Sequence, residues 1–590
     1  MVLGKYFWKY YFKYFLYFFF GILVLVAIDY LQLDIPKTVA SIINALTDWA
    51  ETGTTTFDFD FAVVWILIIG YVVTIGRVGW RLLLLGAARH IEHDIRIRMF
   101  NKALELSQNF YSKEKIGNLM TYFINDLDTL RDTYGWGLLQ LADALALGGF
   151  TLARMLSISL EMTCYIAAPL LLVFVVFFIW GKRMRKFFLR RQNAFSKMSD
   201  FVQESFSGVN VVKAFNLESS QEEIFEERSS DLKKHHMGFI RQAVVIDTVL
   251  TLVINSIVMI IIWFVAYQVT IKNNTEFTSG NFTLYISYYF SLLWPLMALS
   301  QFIDKTNRSS ASAKRLSAFL DEQVLVTDSK YAIACDDLEG KIVAKNLSFK
   351  YPNSQNLVLE NISFTINKGE MVGILGKTGS GKSSLVDLML RMYNVDKNML
   401  YIGDKDIMDV TVKSVRKLFG YVPQDNFLFS TTITNNIAFS ADQTDTDTVV
   451  EAAKLAGVHD NVIEFEHSYD TLLGERGVTV SGGQKQRLSI ARALYKDPEI
   501  LILDDSVSAV DTKTEDAIIH NLHNVRKNKT TIFIAHRIST VKRMDKIILL
   551  DQGHVVDIGS HDELLSRCKE YAEMVRLQAL ESIIAGEHHA

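Results

Sequence analysis

Cysteine and proline are scarce in this chain, at three and six residues among 590. Cys164, Cys335 and Cys568 lie far apart with no CxxC spacing, which excludes a disulfide framework or a cysteine zinc site and leaves ordinary packing thiols. Charge of one sign is not in excess either: a net charge of −4 argues against nucleic acid as the main partner. No small-residue cleavage site follows the N-terminal apolar stretch, which is also too long for a signal peptide. What the chain has in quantity is apolar residues, 49%, with a mean hydropathy of +0.17, high for a wholly soluble enzyme. Its length allows three or four average domains. The apolar excess lies before residue 305, so a membrane half precedes a water-soluble half.

Tyr6–Phe20 is mostly aromatic and interrupted by Lys9 and Lys13. Aromatic rings and lysines settle at headgroup depth, so the segment reads as an interfacial helix leading into a first span. A span needs about 20 mainly apolar residues. Six stretches qualify, near 15–34, 61–83, 136–157, 162–181, 244–268 and 282–302. The third carries Asp143 and Arg154, but omitting it would leave the two large basic loops on opposite sides. Residues 86–135 contain Arg89, Arg96, Arg98, Lys102, Lys113, Lys115 and Arg131. The loop after span four opens with Lys182, Arg183, Arg185 and Lys186. The segments near 35–60, 158–161 and 269–281 hold only Lys37 and Lys272. Positive residues stay on the cytoplasmic side, which places both long loops and both termini in the cytosol of a cell membrane.

Those loops are polar, helix-periodic and almost free of proline, so they read as membrane helices that run on into the cytosol and turn back. Two turns, Phe110–Gly117 and Ser205–Phe215, are either plain connections or the points where the water-soluble half docks. Charged groups inside spans are costly and therefore functional candidates: Asp29, Arg77, Arg81, Asp143, Arg154 and Asp247. Near span ends, snorkelling is the simpler explanation.

The second half has an α/β pattern. Met371–Leu375 is a short buried-strand run leading into Gly376-Lys377-Thr378-Gly379-Ser380-Gly381-Lys382-Ser383, and Ser384–Met392 is helical. This is the strand–loop–helix context that a phosphate-binding loop requires. Its glycines let backbone N–H groups curl round phosphate, and the helix N-terminus adds its positive end. Lys382 is expected on the β- and γ-phosphates and Ser383 on Mg²⁺. Glu499–Asp505 is a second apolar strand ending in two carboxylates. Asp504 is expected to hold Mg²⁺ and Asp505 to orient or deprotonate the attacking water. A third strand, Thr531–Ala535, ends at His536, within reach of a γ-phosphate.

The order GKTGSGKS, a glutamine after a strand (Tyr421-Val422-Pro423-Gln424), VSGGQ at Val480–Gln484, ILILDD at Ile500–Asp505 and His536 resembles the nucleotide-binding domain of ABC transporters. Six spans ahead of it resemble an exporter half-transporter, so the resemblance covers nearly the whole chain. It implies an α-helical six-span transmembrane domain over 1–305, a linker over 306–340, an α/β P-loop NTPase domain with a helical subdomain over 341–580, and a tail over 581–590. It further implies that ATP is held by Tyr351, stacked on adenine, and by Gly376, Thr378, Gly379, Ser380, Gly381, Lys382, Ser383 and Ser384. Gln424 would sense Mg²⁺ beside Ser383 and Asp504. The signature Ser481, Gly482, Gly483 and Gln484 would close on ATP held by another subunit. Gly474–Gly477 resembles the exporter segment before the signature, and Ser508–Asp511 the loop that communicates across the dimer, with Asp511 at the nucleotide. The two turns correspond to coupling helices.

One position departs from the pattern. Most members of that family carry glutamate where this chain has Asp505, whose stem is one methylene shorter. Misplacement by about 1 Å can cost on the order of 100-fold in rate. With an intact SGGQ, the chain is expected to pair with a second half-transporter whose Walker B motif carries glutamate. One good site then forms from the partner's loop and this chain's signature, and a slow one on this chain's own loop. The expected function is ATP-driven efflux of hydrophobic or amphipathic small molecules, without nucleic acid. A lipid or lipid-linked glycan flippase shares the fold and mechanism. Peptide export is disfavoured because no peptidase-like domain precedes span one. A soluble ATPase acting on ribosomes or DNA is opposed by the spans and the charge. An ATP-gated channel or regulator gains some support from Asp505.

Overall fold

The computed structural model describes residues 5–271, 278–335, 337–474, 477, 479–506 and 512–587; side chains at 168, 170–179, 182, 512 and 581–587 lie outside that description. The chain divides into two units. The first is Met1–Phe100 with Leu119–Asp321, and the second is Asn101–Asn118 with Glu322–Ala590.

Long helices build the first unit: α1 (Phe15–Gln32), α2 (Asp34–Thr52), α3 (Phe59–Glu105), α4 (Leu138–Ile158), α5 (Leu160–Ser207), α6 (Glu218–Thr270) and α7 (Ser279–Asp321). At 1.5 Å per residue, the 47 residues of α3 extend about 70 Å and the 53 of α6 about 80 Å. A bilayer core is about 30 Å thick, so these helices run well beyond it. Their outer faces carry the apolar residues a lipid contact requires: Phe61, Leu67, Tyr71 and Leu82 on α3 are all exposed. Among the described residues, five helical segments are long and apolar enough to cross a membrane: Phe15–Thr52, Phe59–Glu105, Ile116–Ile158, Glu218–Thr270 and Ser279–Asp321. The expected fourth span, 162–181, lies in α5, and most of its side chains fall outside the described residues.

The interior of the bundle is apolar with polar clasps. Tyr285, Tyr288 and Tyr289 of α7 are buried with Ile257 and Ile261 of α6 and Met162 and Ile166 of α5. The Tyr285 hydroxyl meets Thr163 at 2.7 Å, and Tyr288 donates to the Leu33 carbonyl at 3.2 Å. The polar stretch from residue 306, expected to be linker, is helical as far as Asp321. Ser309, Ser312, Ala313 and Leu316 are buried there, and Arg315 and Ser312 both bond the buried Asp126. Small residues let that helix approach its neighbour closely, so polarity of sequence is a poor guide to a linker. At the N-terminus a short helix, Lys9–Lys13, precedes α1, and both Lys13 and Tyr14 bond Asp94 of α3, at 2.6 and 2.9 Å.

Among the described residues the second unit holds ten strands. They are β1 (Ile342–Phe349), β2 (Leu359–Ile366), β3 (Met371–Leu375), β4 (Leu400–Ile402), β5 (Lys405–Asp406), β6 (Phe419–Val422), β7 (Ile500–Asp504), β8 (Thr530–Ala535), β9 (Lys546–Asp551) and β10 (His554–Gly559). An antiparallel sheet runs β2-β1-β4-β5, and a six-stranded sheet runs β10-β9-β3-β8-β7-β6. In the latter, β9, β3, β8, β7 and β6 are mutually parallel. Parallel strands are covered on both faces and so read as unbroken apolar runs. Alternate residues feed two cores. Ile500, Ile502, Ile532 and Ile534 face a core shared with the antiparallel sheet. Leu501, Leu503, Phe533 and Ala535 face a core shared with the helices Ile433–Ile437 and Thr446–Leu455. The turn expected at Phe110–Gly117 overlaps a helix, Gln108–Lys113, and Asn109 accepts from Asn353 of the same unit at 2.7 Å. The other turn is a helix, Val209–Ala214, whose flanks Phe206 and Phe215 are strongly exposed.

Candidate functional site

The parallel register lines up four strand ends. Leu375 pairs with Ala535, Asp504 with Ile534, and Val422 with Leu503. The residues just beyond these strands are therefore brought to one edge of the sheet, the edge where ligands collect in open α/β folds. There stand the loop from Gly376, the carboxylates Asp504 and Asp505, His536, and Gln424.

The loop after β3 is shaped by its glycines. Gly379 and Gly381 have φ of 83° and 99°, which side chains rarely adopt. A Cβ on Gly376 would stand 2.2 Å from the Leu550 carbonyl oxygen, so only glycine lets the loop lie against β9. Helix α8 (Lys382–Met389) starts at Lys382, whose Nζ donates to the Gly376 and Lys377 carbonyls at 2.8 Å each. Lys382 is buried, and burial lowers its pKa, opposed by the nearby Asp504 and Asp505. Ser380 and Ser384 are buried, whereas Thr378, Gly379 and Ser383 are exposed. A loop of exposed backbone, a buried cation and a helix N-terminus fits a nucleotide triphosphate.

Asp504 is buried, and burial raises its pKa, while the Tyr421 hydroxyl, donating at 3.4 Å, opposes the rise. Burial and Asp504 together push Asp387, on α8, up to about 6. Asp505 has φ 46°, a left-handed conformation more accessible to Asp than to most residues. Its N–H donates to the Ile534 carbonyl at 2.9 Å, and its own carbonyl accepts from Gln486 at 3.1 Å. Gln424 Nε2 reaches its Oδ2 at 3.5 Å. His536 has its pKa lowered by burial first and then by Lys382, so its imidazole stays neutral near pH 7, and it bonds the Gly376 backbone. Gln578 clamps this strand end, donating to the His536 carbonyl and accepting from the Ile538 N–H, both at 2.8 Å.

Tyr351 is half-buried and sits edge-on to Phe349 and Tyr393, each at 5.1 Å, with its hydroxyl 2.7 Å from Ser384 Oγ. The sheet edge thus brings Gln424, Asp504, Asp505 and His536 to the loop, and Tyr351 touches α8. Ser481–Gln484 is a second feature, at the N-terminus of α9 (Gly482–Tyr495). Ser481 caps that helix: its Oγ accepts from the Gln484 N–H, and its N–H donates to Gln484 Oε1. Such a capping box leaves the N–H groups of Gly482 and Gly483 turned outward at a positive helix end. Asp511, with Ser508–Val510, lies outside the described residues, as do Glu475 and Arg476. Sequence alone assigns no role to Asp387, Gln486 or Gln578. Only Gln486 carries a signal, two residues beyond the signature.

These features define a P-loop NTPase domain carried on the same chain as a bundle of membrane-crossing helices. The ABC transporter transmembrane region matches residues 18–296, and the ABC transporter model matches 359–508. The multidrug resistance-like ATP-binding protein MdlA of Escherichia coli (strain K12) is 33% identical over 96% of this chain and 94% of its own length. The ATP-dependent lipid A-core flippase of Vibrio vulnificus (strain CMCP6) is 31% identical over 82% of each chain. The solved structure of a bacterial Atm1-family ABC exporter with ATP bound superposes with a TM-score of 0.77 at 25% identity, covering 95% of this chain and 98% of that one. The chain belongs to the ABC transporter family, as an exporter with fused transmembrane and ATPase domains.

Proposed function

We propose that this chain exports hydrophobic or amphipathic small molecules across the cytoplasmic membrane as one half of a heterodimer. Its own nucleotide site binds ATP and turns over slowly. The observation that carries this reading is Asp505: a short carboxylate stem on a backbone pinned at both N–H and carbonyl, beside a complete Ser481–Gln484 cap. The name of the MdlA relative supports efflux of several substrates.

On this reading Lys382 and the backbone of Gly376–Gly381 hold the phosphates, and Tyr351 flanks the base. Ser383, Asp504 and Gln424 hold Mg²⁺, which would neutralise phosphate charge there. Neutral His536 donates toward the γ-phosphate, and Asp511 belongs to the loop facing the second subunit. Ser481, Gly482 and Gly483 present hydroxyl and N–H donors to ATP on the partner's loop. The exposed Phe206 and Phe215 suit docking on that partner, whereas Gln108–Lys113 rests on this chain's own ATPase unit through Asn109. Basic loops keep the termini and ATPase unit cytosolic. ATP closes the ATPase units because it binds the closed state better, and so shifts the population.

The test is the ATPase rate of the purified chain alone and with a glutamate-bearing half-transporter. A low rate alone, restored by the partner, is expected. Robust activity alone, undiminished by Asp505→Asn, refutes the heterodimer. A lipid flippase is the second reading, favoured by the lipid A-core relative. ATP-dependent movement of labelled lipid, without efflux of soluble amphiphiles, would select it.

A further inference from the structure

Two carboxyl groups in the membrane unit are unused by the ATPase. Asp29 on α1 and Asp143 on α4 are 4% and 8% exposed, and their side chains meet. Asp29 Oδ2 is buried and finds no donor among the described residues. Asp143 accepts from the indole Nε1 of Trp294, on α7. The charged group facing the pair from α3 is Arg77, whose guanidinium is engaged at 2.9 Å by Gln32, one turn beyond Asp29. Two carboxyls that meet share a proton, and an organic cation that displaces this proton keeps the pair balanced against Arg77. Trp294 is 46% exposed, so the cluster is not sealed and an indole ring stands at its mouth.

We propose that Asp29, Asp143 and Trp294 form a subsite for a lipophilic organic monocation, which selects positively charged substrates over neutral or anionic ones. The physical reasons are local. Carboxylates inside a membrane are costly unless paired, and they mark a ligand path when one oxygen is left over. An indole face attracts an organic cation, and the attraction is larger away from water. A lipophilic cation suits this site because charge and the indole ring supply recognition, and a donor on the ligand would also meet the free Asp29 oxygen. The proposal deepens the export reading and rests on it.

Tetraphenylphosphonium and tetraphenylborate, alike in shape and opposite in charge, test it on the full-length transporter in lipid nanodiscs. Asp29→Asn and Asp143→Asn should each weaken tetraphenylphosphonium binding by about tenfold or more, with tetraphenylborate binding unchanged. Trp294→Leu should weaken the cation less, since both carboxyls remain. Unchanged cation binding in the Asn variants overturns the proposal, including the case in which the pair serves only a proton. Parallel loss of both probes overturns it too, as a fold defect. ATP-driven uptake into inside-out vesicles separates the two readings. Uptake that ignores the Asn variants refutes the subsite alone. Charge-selective binding without any uptake refutes export and leaves the subsite standing.

Discussion

Asp505→Glu lengthens one side chain without asking the backbone to move. The Asp505 N–H is held by Ile534 and its carbonyl by Gln486, at 2.9 and 3.1 Å, so the added methylene must advance the carboxylate toward the edge where the loop and Gln424 lie. An advance of about 1 Å corresponds to roughly 100-fold in rate, or about 2.7 kcal/mol of barrier. The same change places a longer residue at φ 46°, where the left-handed conformation costs about 1 kcal/mol of stability. A faster site on a slightly less stable domain is therefore expected. The assay is ATP turnover by the assembled transporter with the partner's Walker B glutamate changed to glutamine, so that only the site on this chain's loop reports. Asp505→Asn sets the floor. Asp505→Glu should run about 10- to 100-fold above the wild-type chain, with ATP affinity within about threefold. A variant no faster than wild type, with unchanged affinity, would refute the claim that stem length limits this site.

Gly376→Ala drives a Cβ to 2.2 Å from the Leu550 carbonyl, a backbone atom that cannot swing aside. It should destabilise the ATPase unit by about 1–3 kcal/mol and weaken ATP binding, read by thermal unfolding with and without nucleotide. Tyr351→Phe removes the hydroxyl contact with Ser384 and keeps the ring, so ATP affinity should change by less than about threefold, whereas Tyr351→Ala should lose about tenfold in a fluorescent-nucleotide titration. Burial alone would raise the Glu370 carboxyl, but its 2.6 Å contact with Lys546 and its bonds from Asn367 outweigh that and hold it below the ordinary value. A depressed carboxylate contributes stability above its unfolded pKa of about 4.3 and loses it as pH falls through the folded value. Protection factors at β3 and β9 in the full chain, corrected for the intrinsic exchange rate at each pH, should therefore fall below about pH 4.3, and Glu370→Gln should flatten that response.

Legibility in this chain depends on how local each determinant is. The loop, both carboxylates and His536 are readable because each comes directly after a short apolar run, and a parallel sheet carries such ends to one edge whatever lies between them. The helices past the bilayer are readable from the lack of proline. The linker expected at 306–340 fails in its first half because α7 buries small polar residues against Asp126, a partner far off in sequence. Gln578 is illegible for the same reason: it acts through a backbone atom of a distant strand end, and a glutamine advertises no partner, whereas Gln486 is marked only by its place two residues beyond the signature. Asp29 and Asp143 show the intermediate case. Membrane burial marks each alone, but only packing of α1 on α4 turns two costly charges into one pair. The cost of each is therefore not separable. Removing one carboxyl leaves the other against Arg77 with its charge nearly balanced, so the single Asn variants should fold, and their effect should fall on what the pair binds.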